Sequence, residues 1–296
     1  MWIDTTSANY SLTHCFPFNA RTTLSRVQAD LRLMVELGSA VGTVWRCLDG
    51  FHHDAFRRRH LWDLAQFHSL NTIQYLTYVD DPNVRACIQR NYESYQQMVL
   101  PVSNLLPTAV IMADCNDANV IVTAVTDAKA IGQRITGLID FSDAVDTWSC
   151  NEIAITMAYG LLSSYGRQHR YKALAGILVG YSRIRRLDDL ELKCLPVLIV
   201  IRLSMSVMIG AYSLSKDPDN EYLKLHSVPA REAIQFMCAS DIDAHSRFFQ
   251  QIQDTLSAPP AVEDVSVADV TVDDEMLYDD SIYDALINQV YGTVPS

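Results

Sequence analysis

Apolar residues recur at intervals of three or four along most of the chain, which is the spacing of amphipathic helices. The first run begins after Thr23 and ends before Gly50, so it predicts a helix capped by Thr23 and terminated at the glycine. A second run begins at Asp81-Pro82, where the Asp suits an N-cap and the Pro a first helical turn, and extends to Val99. Further runs predict helices over residues 151–162, 171–181, 187–214, 229–239 and 240–256.

A different pattern lies between these helical segments. Val110-Ile111, residues 119–124 and residues 135–139 are short apolar runs rich in β-branched residues, and they predict three strands. We expect them to form one small sheet, a hairpin with its neighbour, set among helices. The predicted fold class is therefore α+β and mainly helical.

Acidic and amide side chains stand where two of these strands end. Asp114 and Asn119 lie five positions apart in the loop after the first strand, and Asp140 follows the last strand. Phosphoryl transfer needs a carboxylate that accepts the proton of the attacking hydroxyl, and hard oxygen ligands that hold a divalent cation against the phosphates. Asp114 as the base, with Asn119 and Asp140 as ligands of Mg²⁺, matches the catalytic set of protein kinases in outline.

These motifs resemble those of the aminoglycoside phosphotransferase superfamily and, within it, the hydroxylysine kinase branch. The branch has the loop His-Gly-Asp-Leu-Asn-Asp-x-Asn, and residues 112–119 read Met-Ala-Asp-Cys-Asn-Asp-Ala-Asn. The branch has the strand Ile-Asp-Phe-Gly-Asp, and residues 139–143 read Ile-Asp-Phe-Ser-Asp. Three other segments are similar to the branch, at residues 61–64, 151–154 and 219–223. The resemblance covers residues 20–240 and implies the C-terminal lobe of a kinase-like fold.

The resemblance also implies a reaction and a set of site residues. It implies a small-molecule kinase that uses GTP or ATP with Mg²⁺ and phosphorylates 5-hydroxy-L-lysine. It assigns the catalytic role to Asp114 and the metal to Asn119 and Asp140. The supporting positions are Asp117 and Asp143, and the positions expected near the substrate amine are Glu221 and Tyr222.

Two departures from the family pattern define an alternative hypothesis. Met112-Ala113 replaces the family's His-Gly, so the hydrogen bond of that His is lost and any positive φ at the second position becomes costly. About 20 residues precede the first predicted helix, and they contain no Lys and no Gly. We therefore expect the N-terminal lobe, which grips the nucleotide, to be missing or vestigial. The alternative is a catalytically silent protein that binds a ligand or a partner, and a hydrolase using two carboxylates ranks last.

Charge is distributed unevenly and divides the chain. The net charge is −12, but ten acidic residues and no Lys or Arg follow Arg247, so the preceding body is near neutral. A neutral body predicts neither nucleic acid nor an anionic membrane as a partner. We predict a hinge remnant over residues 1–20, a kinase-like lobe over 21–257 and a disordered acidic tail over 258–296. In that tail, the spacing of Ile282, Leu286 and Val290 suits a short helix against a protein partner.

Cysteine usage and one long apolar segment complete the sequence picture. The seven cysteines are scattered singly, which argues against a zinc site or a disulfide framework and favours a reduced, cytoplasmic location. Residues 194–214 are almost wholly apolar and about as long as a membrane span. Arg202 lies at their centre, where a charge costs about 2.5–3.5 kcal/mol on insertion scales. We therefore predict a buried helix whose Arg pairs inside the protein. Three histidines of a charged segment, His52, His53 and His60, are expected to face solvent.

Overall fold

The computed structural model of the protein describes residues 21–70, 72–127, 130–256 and 280–291. Five strands are present in this part of the chain: β1 (Arg21–Thr23), β2 (Thr108–Ile111), β3 (Val120–Asp127), β4 (Ala130–Leu138) and β5 (Val145–Trp148). Helices make up most of it: α1 (Leu31–Leu48), α2 (Thr72–Leu76), α3 (Pro82–Ser94), α4 (Cys150–Gly160), α5 (Ser164–Gln168), α6 (Arg170–Ser182), α7 (Asp189–Lys216), α8 (Glu221–Cys238), α9 (Ile242–Thr255) and α10 (Asp280–Tyr291). The architecture is α+β and mainly helical, which confirms the predicted fold class.

The strands form two small antiparallel sheets rather than the single sheet predicted. β3 and β4 make the hairpin, and β1 pairs with the other edge of β3, with Thr22 opposite Val122. β2 pairs instead with β5, with Thr108 opposite Trp148. The prediction missed β1 and β5 because they are only three and four residues long, too short to show a strand periodicity. The two polar stretches of interest therefore follow strands of different sheets.

Helix α1 begins later than its apolar pattern predicted. Asp30 caps it by accepting a hydrogen bond from the backbone N–H of Leu33 at 2.8 Å, whereas Thr23 lies at the end of β1. Leu24 lies in a 3-10 turn before the helix, but it is buried like the apolar residues of α1. Its position in the apolar pattern therefore made the predicted helix start too early. Gly50 follows the helix with φ of 71°, in agreement with the predicted stop.

Helices α1 and α6 cross with their backbones in direct contact. A Cβ atom on Gly38 would lie 2.0 Å from the carbonyl oxygen of Ile177, and one on Gly180 would lie 1.9 Å from that of Val35. Neither position has room for a side chain, so both require glycine. The hydroxyl of Ser39 adds a hydrogen bond to the Gly180 carbonyl at 3.2 Å.

The long apolar segment forms α7, the central helix of the core. Within the described ranges it is the one helix long and apolar enough to cross a membrane, and most of that stretch is buried inside the protein. Its start is fixed by a capping box between Asp188 and Glu191. Arg202, at its middle, is 2% exposed and forms an ion pair with Asp114, which confirms the prediction that this Arg pairs internally.

The acidic C-terminal segment contains α10, in the region for which the sequence predicted a disordered tail and, from the spacing of Ile282, Leu286 and Val290, a possible short helix. α10 packs against α6 and α9, with Tyr283 and Ile287 buried on one face, and Lys172 of α6 pairs with Asp284 at 3.1 Å. The prediction gave most weight to the acidic composition and overlooked this i, i+4 apolar pair. The rest of the predicted tail, and the predicted hinge remnant at residues 1–20, lie outside the described residues.

Candidate active site

The loop that follows β2 carries the predicted base and is held by its own side-chain amides. Asp114 accepts hydrogen bonds at Oδ2 from Asn116 at 2.8 Å and from Asn119 at 2.9 Å. The Asn119 amide also donates to the backbone carbonyl of Asp114 at 3.0 Å. Asn116 accepts through Oδ1 from the backbone N–H groups of Ala118 and Asn119, which is the geometry of an Asx turn. The loop therefore brings Asp114 and Asn119 into direct contact.

A buried carboxylate on α4 braces the residues in front of Asp114. Glu152 is 1% exposed, and its Oε2 accepts hydrogen bonds from the backbone N–H groups of Met112 at 2.6 Å and Ala113 at 3.3 Å. Burial raises the pKa of Glu152 to about 7, although these two hydrogen bonds act to lower it. The loop is thus anchored from α4 through its backbone, independently of the side chain at position 112.

Ala113 adopts the backbone conformation that its family counterpart would favour. Its φ is 65°, in the left-handed region where glycine is preferred, and this confirms that the position requires a positive φ. An L-residue there costs about 1–2 kcal/mol. The hydrogen bonds from the N–H groups of Met112 and Ala113 to Glu152 offset that cost by fixing the backbone on the N-terminal side of the strained residue.

Arg202 of α7 holds the other oxygen of the Asp114 carboxylate. Its Nη2 donates to Asp114 Oδ1 at 3.0 Å and to the Tyr159 hydroxyl at 3.2 Å, and its Nη1 donates to the Trp62 carbonyl at 3.2 Å. The guanidinium lies over the rings of Trp62 and Tyr159, at 4.8 and 5.3 Å from their centroids. Trp62 packs against the core and also stacks on this cation. A guanidinium and two amides together fix the orientation of Asp114.

The charge environment of Asp114 suits a proton acceptor. Burial raises the pKa of its carboxyl above the ordinary value, although Arg202 and the Asn116 amide act to lower it. Repulsion from Asp143 and Asp140 adds to the rise, so the three carboxylates share one electrostatic region. A carboxylate with a raised pKa accepts a proton more readily than an ordinary one.

Asp140 follows β4 in a left-handed backbone conformation, with φ of 63°. Its Oδ1 accepts hydrogen bonds from the hydroxyl and the backbone N–H of Ser142, at 2.6 and 3.2 Å. These hydrogen bonds, the hydroxyl first, lower the pKa of Asp140, so the residue is ionised at neutral pH. Both bonds fall on Oδ1, which leaves Oδ2 of this exposed residue for a ligand.

Two basic residues of the segment after α1, Arg58 and His60, bind the loop that follows Asp140. Arg58 donates through Nη2 to the carbonyls of Ser142 at 2.5 Å and Ala144 at 3.0 Å, and His60 Nε2 lies 3.1 Å from Asp143 Oδ1. The prediction that His60 faces solvent is wrong, because its side chain is only 16% exposed and pairs with Asp143. The sequence pattern could not reveal this, since two helices and three strands separate His60 from Asp143 along the chain. The other two histidines of the segment are exposed, as predicted.

The oxygen atoms of the two polar stretches fit a hard divalent cation. Both amide hydrogens of Asn119 are used by Asp114, so its amide oxygen is the atom left to coordinate, and Asp140 supplies a carboxylate oxygen. Carboxylate and amide oxygens are ligands that suit Mg²⁺. Among the residues that the structure describes, no group of three His, Cys, Asp or Glu side chains is placed to hold a metal ion.

The remaining predicted site residues have different positions. Asp117 joins the loop to the segment after β1, since its carbonyl accepts a hydrogen bond from the Ser25 backbone N–H at 3.1 Å. Asn116, to which the sequence assigned no role, makes three of the side-chain hydrogen bonds within the loop. Glu221 and Tyr222 stand at the start of α8, and their side chains lie outside the described part of the chain.

Sequence reasoning missed the contributions of two buried charged residues. Glu152 lies in one of the family-like segments, and Arg202 was expected to pair inside the protein, but neither was assigned to the site. A carboxylate in an otherwise apolar helical run is the signal that could have singled out Glu152, because such a group needs donors in the core.

The chain is similar in sequence to known small-molecule kinases. It is 27% identical to hydroxylysine kinase of Xenopus laevis over 207 residues, which are 68% of this chain and 54% of that protein. It is 25% identical to hydroxylysine kinase of Danio rerio over 211 residues, 70% of this chain and 57% of that protein. The chain thus spans about half the length of these relatives. No family model matches the sequence.

A solved structure shares the fold. The microcompartment-associated aminopropanol kinase superimposes with a TM-score of 0.51 at 17% identity, covering 76% of this chain and 64% of that one. The fold is therefore that of a kinase-like protein. The chain is thus similar in sequence to hydroxylysine kinases and similar in fold to an aminopropanol kinase.

Proposed function

We propose that the protein is a kinase that transfers the terminal phosphate of GTP or ATP to a hydroxyl of a small amino-containing substrate. The observation that carries the proposal is Asp114 itself, a carboxylate fixed by Arg202 and two amides beside the oxygens of Asn119 and Asp140. The relatives named hydroxylysine kinase support 5-hydroxy-L-lysine as the substrate of this chain.

The proposed role of Asp114 is to accept the proton of the attacking hydroxyl. As that oxygen bonds to the terminal phosphorus, the bond from phosphorus to the bridging oxygen breaks and the nucleoside diphosphate leaves with the electron pair. Little covalent chemistry is asked of the protein, so positioning is its main contribution. The three donors on Asp114 hold it against rotation, and its raised pKa supports proton transfer at neutral pH.

Asn119 and Asp140 are the residues that would hold Mg²⁺. When bound, the cation supplies charge neutralisation at the phosphate oxygens. Asn119 is suited to this role because its amide is pinned by Asp114, and Asp140 because its lowered pKa keeps it ionised. Asp143 supports the loop through His60.

A direct test is phosphotransfer by the purified full chain with Mg²⁺, GTP or ATP, and 5-hydroxy-L-lysine. Asp114→Asn is expected to lower kcat by about 10²–10⁴-fold, since it removes the base and keeps the size of the side chain. Asp54→Asn is the matched control, because that side chain is 96% exposed and lies in the short 3-10 turn after α1. Equal activity in Asp114→Asn and the parent would overturn the proposal.

The silent-binder hypothesis gives a different outcome in a companion measurement. If the chain is a kinase, Mg²⁺ with nucleotide should raise its thermal midpoint, and Asp140→Ala should abolish that shift. A chain that neither transfers phosphate nor responds to Mg²⁺ with nucleotide would support the silent binder instead.

A further inference from the structure

Two cysteines far apart in sequence meet where helices α3 and α8 pack together. Cys87, Arg90 and Asn91 share one face of α3, at positions i, i+3 and i+4. Arg90 Nη2 donates to the Cys87 sulfur at 3.4 Å, and the Cys238 thiol donates to Asn91 Oδ1 at 3.4 Å. Cys87 is also one of the groups that raise the pKa of the Cys238 thiol, after burial, so the two thiols interact. The two sulfur atoms are thus neighbours in a small polar cluster.

The cluster has the parts that thiol chemistry requires. Arg90 interacts with both sulfurs, and a guanidinium stabilises a thiolate. Cys87 is 5% exposed, whereas Cys238 is half-buried and can be reached from solvent. Burial raises the pKa of the Cys238 thiol to about 12, against the lowering effect of Arg90 and Asn91, so reaction at neutral pH is slow and accelerates as pH rises. Cys150 and Cys194, by contrast, are both fully buried.

We propose that Cys87 and Cys238 form a modification site, a thiol pair that closes a disulfide between α3 and α8 on reaction with a low-molecular-weight disulfide. The Cys238 thiolate attacks one sulfur of the reagent, forming a mixed disulfide and releasing one reagent thiolate. The Cys87 thiolate then attacks the Cys238 sulfur, which releases the second reagent thiolate. The two protein thiol protons end on the two released thiolates, so one disulfide is made and one is reduced.

The bond would join two helices that both pack on α7. It would close a long loop of chain, and such a link raises stability by restricting the unfolded state. The sequence argued against a disulfide framework, and this pair does not make one. It is a reversible link that depends on the fold to bring the thiols together, and it is independent of the proposed kinase activity.

The test uses the full chain treated with glutathione disulfide in a mildly alkaline buffer, then alkylated, digested and analysed by mass spectrometry. We expect a joined Cys87–Cys238 peptide two hydrogens lighter than the separate peptides, and a higher thermal midpoint that dithiothreitol reverses. Cys238→Ala should lose both the peptide and the rise in midpoint. Cys47→Ala, which removes an exposed thiol elsewhere, should keep both.

Three outcomes would overturn the proposal. One is a stable glutathione adduct on Cys238 with Cys87 still open to alkylation after unfolding. Another is modification of Cys47 in the same sample with no joined Cys87–Cys238 peptide. The third is a joined peptide that forms equally well in the urea-unfolded chain, because the link would then owe nothing to the packing of α3 on α8. Peptide mapping of the parent protein decides the matter even if a cysteine variant fails to fold.

Discussion

Arg202 does more for Asp114 than balance its charge. Its guanidinium reaches one carboxylate oxygen, one hydroxyl and one backbone carbonyl while lying between two aromatic rings. A planar group with several fixed donors can make these contacts together, and an ammonium is a poorer substitute. The orientation of Asp114 therefore depends on a residue that the chain supplies from the centre of its most apolar helix.

Arg202→Met is expected to reduce both activity and stability. It leaves the Asp114 charge uncompensated, which costs about 3–5 kcal/mol for a buried pair, and the lower end applies because the Asp114 side chain is 19% exposed. Arg202 lowers the pKa of Asp114, so its removal should move the acidic limb of the pH–kcat profile to higher pH. Urea unfolding and a pH–rate profile measure the two effects.

Lys193→Met is the matched control for that substitution. Lys193 lies on the same helix and is exposed, so it loses the same charge without touching the site. If Arg202→Met left the acidic limb where it is in the parent, the inferred coupling between Arg202 and Asp114 would be wrong.

Glu152→Gln is expected to change how stability depends on pH. The pKa of Glu152 rises from its ordinary 4.5 to about 7 on folding. Between these two pH values the folded chain keeps a proton that the unfolded chain has lost. The contribution of Glu152 to the free energy of unfolding is therefore fully present below pH 4.5 and is lost as the pH rises through 7. The parent should therefore lose about 3 kcal/mol relative to Glu152→Gln across that window. Gln keeps an oxygen that can accept the hydrogen bonds from Met112 and Ala113.

Chemical unfolding at a series of pH values measures this difference. The exposed Glu93→Gln serves as the control and should track the parent throughout. Parallel curves for the parent and Glu152→Gln would mean that Glu152 titrates in the same range in the folded and unfolded chains.

At the level of single residues, the sequence predicted which polar groups meet but not what holds them. Asp114 and Asn119 could be paired from their spacing within one loop. The donors and acceptors that position that loop, Arg202 and Glu152, come from helices whose approach depends on tertiary packing. No local pattern encodes such an approach, so the support of the site became visible only in the fold.

At the level of elements, the crossing of α1 on α6 determines where the helical layer lies. Gly180→Ala is expected to destabilise the protein by about 1–3 kcal/mol, because its Cβ would meet the Val35 carbonyl at 1.9 Å and the helices must separate. Thermal or urea unfolding measures the loss.

Gly210→Ala on α7 is the matched control, with the opposite expectation. A Cβ there meets nothing within 4 Å, so the gain in helix propensity should stabilise the chain by about 0.5–1 kcal/mol. If the two substitutions had similar effects on stability, the close backbone contact between α1 and α6 would not be what requires glycine at position 180.

Element boundaries show where local signals were sufficient. Asp81-Pro82 predicted the start of α3 correctly, because a capping side chain and a fixed φ act within one turn, and the Asp81 carboxylate accepts from the N–H groups of Asn83 and Val84. Thr23 failed as a cap because β1 pairs with β3 there, a contact between segments about a hundred residues apart. Short edge strands owe their conformation to such partners, and a local apolar pattern does not reveal them.

At the level of the whole molecule, the question is whether apolar burial or an ion pair holds α10 against α6 and α9. Tyr283 is 2% exposed, so Tyr283→Ala should free the helix and speed amide exchange within α10 by about 10–100-fold. Asp284→Asn removes the ion pair with Lys172 and should change exchange by at most about fivefold, since such pairs contribute about 0–1 kcal/mol. Hydrogen exchange with α1 as an internal reference distinguishes the two. A larger effect from Asp284→Asn would reverse this ranking.

The central charge of α7 also matters before the protein has folded. As the chain is synthesised, α7 emerges as an apolar segment of spanning length, and only Arg202 interrupts its middle. That single side chain adds about 2.5–3.5 kcal/mol to the cost of entering a bilayer, during the interval when neither Asp114 nor the aromatic rings yet shelter it. An Arg202→Leu chain would lose this barrier and become a competing substrate for the insertion machinery. The residue that orients the candidate base in the finished protein is therefore also the one that makes α7 less favourable as a membrane span.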